Sequence, residues 1–307
     1  MNGTELITFL SNNFSAVLTT VGAITGSLFT AIFLRHDTAT KEFEKIKAGQ
    51  FKETADALLQ AGKMTYTEYY KANNFLSVAR KADEYYSQTP HGSEKTKYDF
   101  DWFVRFYEAV GSISNEKMQE IWAHILAGEV DHPGSFSLRT IEILKNIGKK
   151  DAELFEKVCS CTIHSGNHDI VPNYDDYLAT CGITYSEIMR LDELGLVNSS
   201  GLLVLKVRTT TDQAVVFNND RLLVMIKPAG EDAVNLDVKQ FPLTDVGREL
   251  YGVQDIATPD SCYKEFVKEL SKNKKIAVEM HKVIRIHGDQ IEYNPAIILN
   301  DDQTGDV

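Results

Sequence analysis

Hydrophobic and polar positions alternate with several distinct rhythms along this chain, and the first of them is barely a rhythm at all. Leu6 to Leu34 runs without a charged side chain, in a protein one quarter charged. Phe14 to Leu34 would make a helix of about 31 Å, close to the ~30 Å of a hydrocarbon core. At 100° per residue Asn12, Ser15, Thr19, Gly22, Gly26 and Thr30 share one face, while Val17, Leu18, Val21, Ile24, Leu28, Phe29 and Ile32 cover the other. The segment reads as a transmembrane helix with a small-residue association face, Ser15, Thr19, Gly22, Gly26 and Thr30, in which Gly22 and Gly26 let two backbones approach. No Lys or Arg precedes it, whereas Arg35, Lys41, Lys45 and Lys47 follow. The charge bias predicts an amino terminus outside and the rest in the cytoplasm, hence a single-pass membrane protein. A secretory leader would need a basic start and a small-residue cleavage site, and neither is present.

Helical spacing then takes over. It predicts helices over Asp37–Gln60 and Thr65–Ser87, the second with Tyr69, Phe75, Leu76, Ala79 and Tyr86 turned inward. Phe100, Phe103, Val104, Tyr107 and Val110 mark another, stopped by Gly111. With Ser114 as its N-cap, the next carries Met118, Ile121, Trp122, Ile125 and Leu126. Pro133, Gly134 and Ser135 turn the chain into a helix bearing Leu138, Ile141, Leu144 and Ile147, and Asp151–Val158 follows. Short amphipathic helices on short loops predict a compact bundle.

Past Asn173 the pattern changes. Two helices, Asp176–Cys181 and Thr184–Leu194, precede strands at Leu202–Val207, Ala214–Phe217 and Arg221–Ile226, with Asn218, Asn219 and Asp220 as turn formers. A helix over Leu243–Tyr251 completes the order of a winged helix. Tyr263–Leu270 then predicts a helix, and Ile276–Ile286 with Gln290–Tyr293 a hairpin before an acidic tail. The expected fold is mainly α with a smaller α+β part. Its expected domains are an anchor (1–35), a helical domain (36–170), a winged-helix-like domain (171–255) and a carboxyl-terminal helix and hairpin (256–307).

The run Trp122-Ala-His-Ile-Leu-Ala-Gly-Glu129, followed by Pro133-Gly-Ser-Phe-Ser-Leu-Arg-Thr-Ile141, resembles the signature of an uncharacterised bacterial domain family similar to the abortive-infection alpha proteins. The likeness covers Asp99–Val158 and extends faintly toward Gly252. It implies association with phage defence and brings no catalytic residues with it. Read physically, the motif is a packed helix, a turn and a capped second helix, with Arg139 and Glu129 placed to pair across the turn.

Charge narrows the function classes. The net charge is −12, which disfavours broad affinity for phosphate backbones. The second helix of the winged region sets Glu187, Asp192 and Glu193 against Arg190 alone, so direct, specific DNA binding is not expected of it. Lys206, Arg208, Arg221 and Lys227 gather on the predicted hairpin as a possible anion or partner contact. Cys159, Cys161, His164 and His168 invite a metal reading, but Cys159 continues the buried face of a helix, and structural thiols are the expectation. On the cytoplasmic side such thiols stay reduced. Glu116, Glu120 and His124 share a helix face that reads as salt-bridged surface. No Walker loop, G-x-S-x-G or Rossmann fingerprint occurs. Neither catalytic residues nor a metal nor a cofactor is expected, and the chain reads as a non-enzyme.

The resulting expectation is a membrane-anchored defence effector that senses through its cytoplasmic domains, oligomerises and perturbs the bilayer. Its expected partners are lipid, further copies of itself and a protein encoded in the same operon. A membrane-tethered winged-helix DNA regulator and an assembly scaffold are the alternatives.

Overall fold

The computed structural model describes residues 59–60, 62, 65–88, 99–201, 203–218, 221–253, 256, 258–287 and 290–295. The chain divides into two compact units, Met1–Lys149 and Lys150–Val307.

In the first unit the described helices are α1 (Tyr66–Gln88), α2 (Phe100–Val110), α3 (Glu116–Asp131) and α4 (Leu138–Lys145). Each of the last three starts on a side chain that takes an orphan amide: Asp99 for α2, Asn115 for α3 and Ser137 for α4. The cap of α3 is therefore one residue later than the expected Ser114. Apolar positions three and four apart bring aromatic rings to the centre. Phe75 meets Phe103, Phe106 and Tyr107 edge-on, and Phe106 meets Trp122 edge-on at 5.3 Å while stacking on Trp102 at 5.0 Å. Polar side chains lock α1 to its neighbours. Asn74 donates to the Gly111 carbonyl, and Ser77 donates to Gln119, whose amide donates to Ile113 O.

The second unit opens with α5 (Lys149–Cys159), then β1 (Ile163–Ser165), β2 (His168–Pro172), α6 (Asp175–Thr180) and α7 (Tyr185–Glu193). There follow β3 (Val204–Thr209), β4 (Val215–Asn218), β5 (Leu222–Pro228), β6 (Val234–Pro242), α8 (Asp245–Tyr251), α9 (Asp260–Ser271), β7 (Ile276–His287) and β8 (Gln290–Tyr293). The strands form one antiparallel sheet in the order β3-β6-β2-β1-β4-β5-β7-β8. β5 is buried throughout Leu222–Ile226, which is why it reads as a continuous apolar run. β6 alternates, with Leu236 and Val238 inward. α9 lies against β5 and β7, its Phe266 edge-on to Phe217 and facing Tyr177.

Two expectations are corrected here. The expected mainly-α fold with a winged-helix-like region gives way to an extended eight-stranded antiparallel sheet. The β4–β5 hairpin is present, but β3 pairs with β6 instead of closing a small local wing, and β7 joins the same sheet through β5. Strands as short as β1 leave little periodicity to read, and the alternation of Val234–Pro242 is what converts a three-strand motif into a broad sheet. The expected single-pass membrane placement is also corrected. Among the described residues no helix is long and apolar enough to cross a membrane. α1, with 23 residues, is the longest of them, and Lys71, Arg80, Lys81, Asp83 and Glu84 interrupt it. The stretch Leu6–Leu34, with Ser15, Thr19, Gly22, Gly26 and Thr30, lies outside the described residues, as does most of the helix expected over Asp37–Gln60.

Candidate functional site

In the helical unit the acidic face of α3 is a packing seam. Lys81 on α1 reaches Glu120 at 3.2 Å and Glu116 at 3.7 Å, and the Tyr85 ring stacks on His124 with centroids 3.8 Å apart. The three residues that could have converged on a metal are thus individually engaged by α1. Burial alone would weaken the Lys81 ammonium, but the Glu120 hydrogen bond and the surrounding acids outweigh it and raise its pKa.

The turn after α3 explains the Trp122–Ile141 motif. Glu129 is 1% exposed, and its two carboxylate oxygens accept from the Gly134 and Phe136 amides at 2.8 and 3.0 Å. Trp102 Nε1 donates to the Phe136 carbonyl at 2.8 Å. Where the sequence suggested a Glu129–Arg139 pair, the turn's own amides hold the carboxylate, and Arg139 points to solvent. A shallow cleft of about 320 Å³ opens here, lined by Asp99, Trp102, Pro133 and Leu138 among others. Of its polar lining, Glu129 accepts from the turn amides, while Asp99 and Ser137 cap α2 and α4.

In the sheet unit α7 begins with a full capping box. Thr184 accepts from the Glu187 amide, and Glu187 accepts from the Thr184 amide. Burial opposes ionisation of Glu187, yet the Thr184 groups and Lys157 at 3.0 Å hold its carboxyl below the usual range. Arg190, the only cation on α7, makes a two-pronged bond to Asp151 through Nε and Nη2 at 3.0 and 3.1 Å and a longer one to Glu193. Tyr185 and Met189, one turn apart, remain 54% and 49% exposed.

The four cations singled out in the sequence do not stand on one hairpin. Lys206 and Arg208 lie on the exposed side of β3, an edge of the sheet, opposite Asp237 and Asn235 of β6. Arg221 lies 3.6 Å from Asp260, and Lys227 lies 3.5 Å from Glu279. Cations on an edge strand discourage pairing with another chain, which is a sufficient reason for Lys206 and Arg208. With Arg190, Arg221 and Lys227 facing acids, the full chain should show no saturable DNA binding at nanomolar protein in about 150 mM salt, only weak binding that salt abolishes. A gel-shift titration at two salt concentrations checks this.

The second unit also gathers thiols. All four cysteines are free, and three of them, Cys161 after α5, Cys181 at the end of α6 and Cys262 in the first turn of α9, hold their sulfurs within 4.8 Å of one another. Cys181 donates to Cys262 at 2.8 Å. Local bonds fix each backbone: Cys161 N–H to Val158 O, Cys181 N–H to Tyr177 O, Cys262 N–H to Pro259 O. The buried Tyr177 hydroxyl donates to the Cys161 carbonyl at 2.7 Å. Hydrogen bonds from Cys161 and Cys181 pull the Cys262 thiol down to about 4. For Cys161 the Cys181 contact acts downward, but the Cys262 contact and burial prevail and push it up to about 12. Contacts with Cys161 and Cys262, together with burial, push Cys181 upward.

Of the sequence set Cys159, Cys161, His164 and His168, only Cys161 belongs to this cluster. Cys159 is buried on α5, His164 pairs with Asp169 across the β1–β2 hairpin at 2.8 Å, and His168 is exposed beside the turn. Spacing could not have found Cys181 and Cys262, which are 81 positions apart and meet only because α6 packs against α9.

The described residues thus define a protein of two units, one of amphipathic helices and one built on an antiparallel sheet, with three thiols converging in the second. The chain belongs to the family described as Protein of unknown function (DUF2806), whose model matches residues 62–270. The match runs through α1–α9 and stops before β7 and β8. No curated protein and no solved structure matches the chain.

Proposed function

We propose that the protein is a non-enzymatic, protein-contacting component of a bacterial defence response of the abortive-infection type, and that it docks a protein partner on the outward face of α7. The observation that carries the reading is the exposed pair Tyr185 and Met189 beside an acidic helix whose single cation is already bound to Asp151. An aromatic ring and a thioether at i and i+4 offer apolar area at low ordering cost, and residues of these types are enriched in protein interfaces. The surrounding carboxylates favour a partner surface bearing Lys or Arg around an apolar recess. The likeness of the Trp122–Ile141 run to defence proteins supports the biological setting.

The test is made in cells. A bacterial host expressing the intact chain should plate at least one phage less efficiently than a host without it. Met189→Glu should restore plating while the thermal midpoint of the purified protein stays within about 2 °C, since an exposed substitution changes stability by less than about 0.5 kcal/mol. No protection by the intact chain against a broad phage panel sinks the defence reading. Full protection by Met189→Glu removes α7 as the docking face.

A further inference from the structure

We propose that Cys161, Cys181 and Cys262 form a binding site for a thiophilic d¹⁰ cation, with Zn²⁺ the probe of choice. The inference is independent of any docking on α7.

Three separate elements supply the sulfurs: the residue pair after α5, the end of α6 and the first turn of α9. A zinc–sulfur bond of about 2.3 Å in tetrahedral geometry sets ligand sulfurs about 3.8 Å apart. All three pairs lie within 4.8 Å, so the cation fits after shifts of about an ångström or less, the Cys181–Cys262 pair opening from 2.8 Å. Side-chain torsions alone supply such a shift.

The surroundings are those of a held ligand set. The Tyr177 hydroxyl bonds the carbonyl of Cys161, and Thr258, four residues before Cys262, donates to Thr162 O beside Cys161 at 3.4 Å. These bonds tie the α5 end to both α6 and the segment leading into α9, the kind of outer support that orients metal ligands. The amino-terminal end of α9, a helix of 12 residues, sets amide dipoles near Cys262 and favours anionic sulfur there. Cys161 and Cys262 are buried and Cys181 is half-buried, and a three-sulfur set leaves a tetrahedral cation one further position for water or another donor. A donor set of three sulfurs selects soft and borderline cations over Mg²⁺ and Ca²⁺.

The experiment uses the full chain, stripped with a chelator and kept reduced. Addition of Co²⁺ as a spectroscopic substitute for Zn²⁺ should give a thiolate-to-cobalt charge-transfer band and the strong visible bands of a tetrahedral site, saturating at one equivalent. Zn²⁺ should displace it, and Mg²⁺ should not. Cys181→Ser should weaken Zn²⁺ binding at least about a hundredfold, and because Cys181 stands at the end of α6 and is only half-buried this variant retains its far-ultraviolet circular dichroism. Cys159→Ser, on the same helix end but outside the cluster, should bind as the native chain does. Absence of the thiolate–cobalt band in folded, reduced protein overturns the proposal, and so does equal loss in Cys159→Ser and Cys181→Ser. Recovery of a Cys181–Cys262 disulfide from protein alkylated directly in cells also overturns it, since two of the three ligands would then be consumed.

Discussion

Gly247→Ala should destabilise the sheet unit by about 3 kcal/mol or more, at the upper end of what overpacking costs. Gly247 is buried in the first turn of α8, and a Cβ built there would sit 2.0 Å from the Leu196 carbonyl oxygen, 3.1 Å from its carbon and 3.3 Å from Leu243 Cβ. The carbonyl cannot simply move away. It accepts the Thr244 amide at 3.0 Å, while the Thr244 hydroxyl donates to Gly195 O and caps the Gly247 amide. Leu243 and Val197 bridge at the same place, so the turn after α7 and the start of α8 form one contact with no room for a methyl group. Gly252→Ala is the control: its added Cβ meets other atoms at 3.6 Å and beyond and should change stability by less than about 1 kcal/mol. Hydrogen exchange at β6 and α8 reads the loss where it arises. Tryptophan fluorescence does not, because Trp102 and Trp122, the only tryptophans, both lie in the helical unit. An unchanged exchange pattern and urea midpoint in Gly247→Ala would show that the contact yields.

Glu129→Ala should cost the helical unit about 2–4 kcal/mol. The carboxylate accepts two amides in a nearly solvent-free turn, and its removal leaves the buried Phe136 N–H without its carboxylate acceptor and opens a void beneath it. Glu129→Gln keeps the volume and one good acceptor but turns an NH₂ toward a donor, so about half the effect is expected. Here tryptophan fluorescence is the right probe, since Trp102 bonds to the same turn through Phe136 O. If the alanine variant unfolds with the native midpoint in urea, the turn is held by the backbone alone.

The helices of the first unit were legible because Phe103, Trp122, Ile125, Ile141 and Leu144 recur at three- and four-residue spacing and each helix has a cap or a glycine at its ends. The β4–β5 and β7–β8 hairpins were legible from turn formers between β-branched runs, and α6 and α7 lie within a residue or two of their expected ends. What failed was non-local. β1 has three residues and β2 five, too few to show alternation, and Ser, His and Asp dilute them. β6 did carry a signal, Val234, Leu236 and Val238 at period two, with Phe241 breaking the phase. Charge spacing placed Lys206 and Arg208 near Arg221 and Lys227, whereas strand order sends the first pair to an edge and gives the second pair acidic neighbours. The thiol cluster had no local trace, because its ligands come from three elements that only tertiary packing unites.

The strand order also dictates when the second unit can be completed as the chain leaves the ribosome. α1–α4 make their contacts within about eighty consecutive residues, so the helical unit can assemble while the remainder is still being synthesised. The short β1–β2 hairpin lies in the middle of the sheet, yet β1 waits for Asn218 and β2 waits for Pro242, and β5 finds its other neighbour only after His281 and Lys282 emerge. Every layer beyond the hairpins closes over a long loop, whose entropy grows with length and delays pairing. Until α9 has been made, Cys161 and Cys181 have no Cys262 to meet. Assembly of the three-sulfur cluster therefore comes late in biosynthesis, and the nascent chain carries an unpaired central hairpin from the completion of Pro172 until Asn218 and then Pro242 have been made, which is the interval in which a holding chaperone would find it.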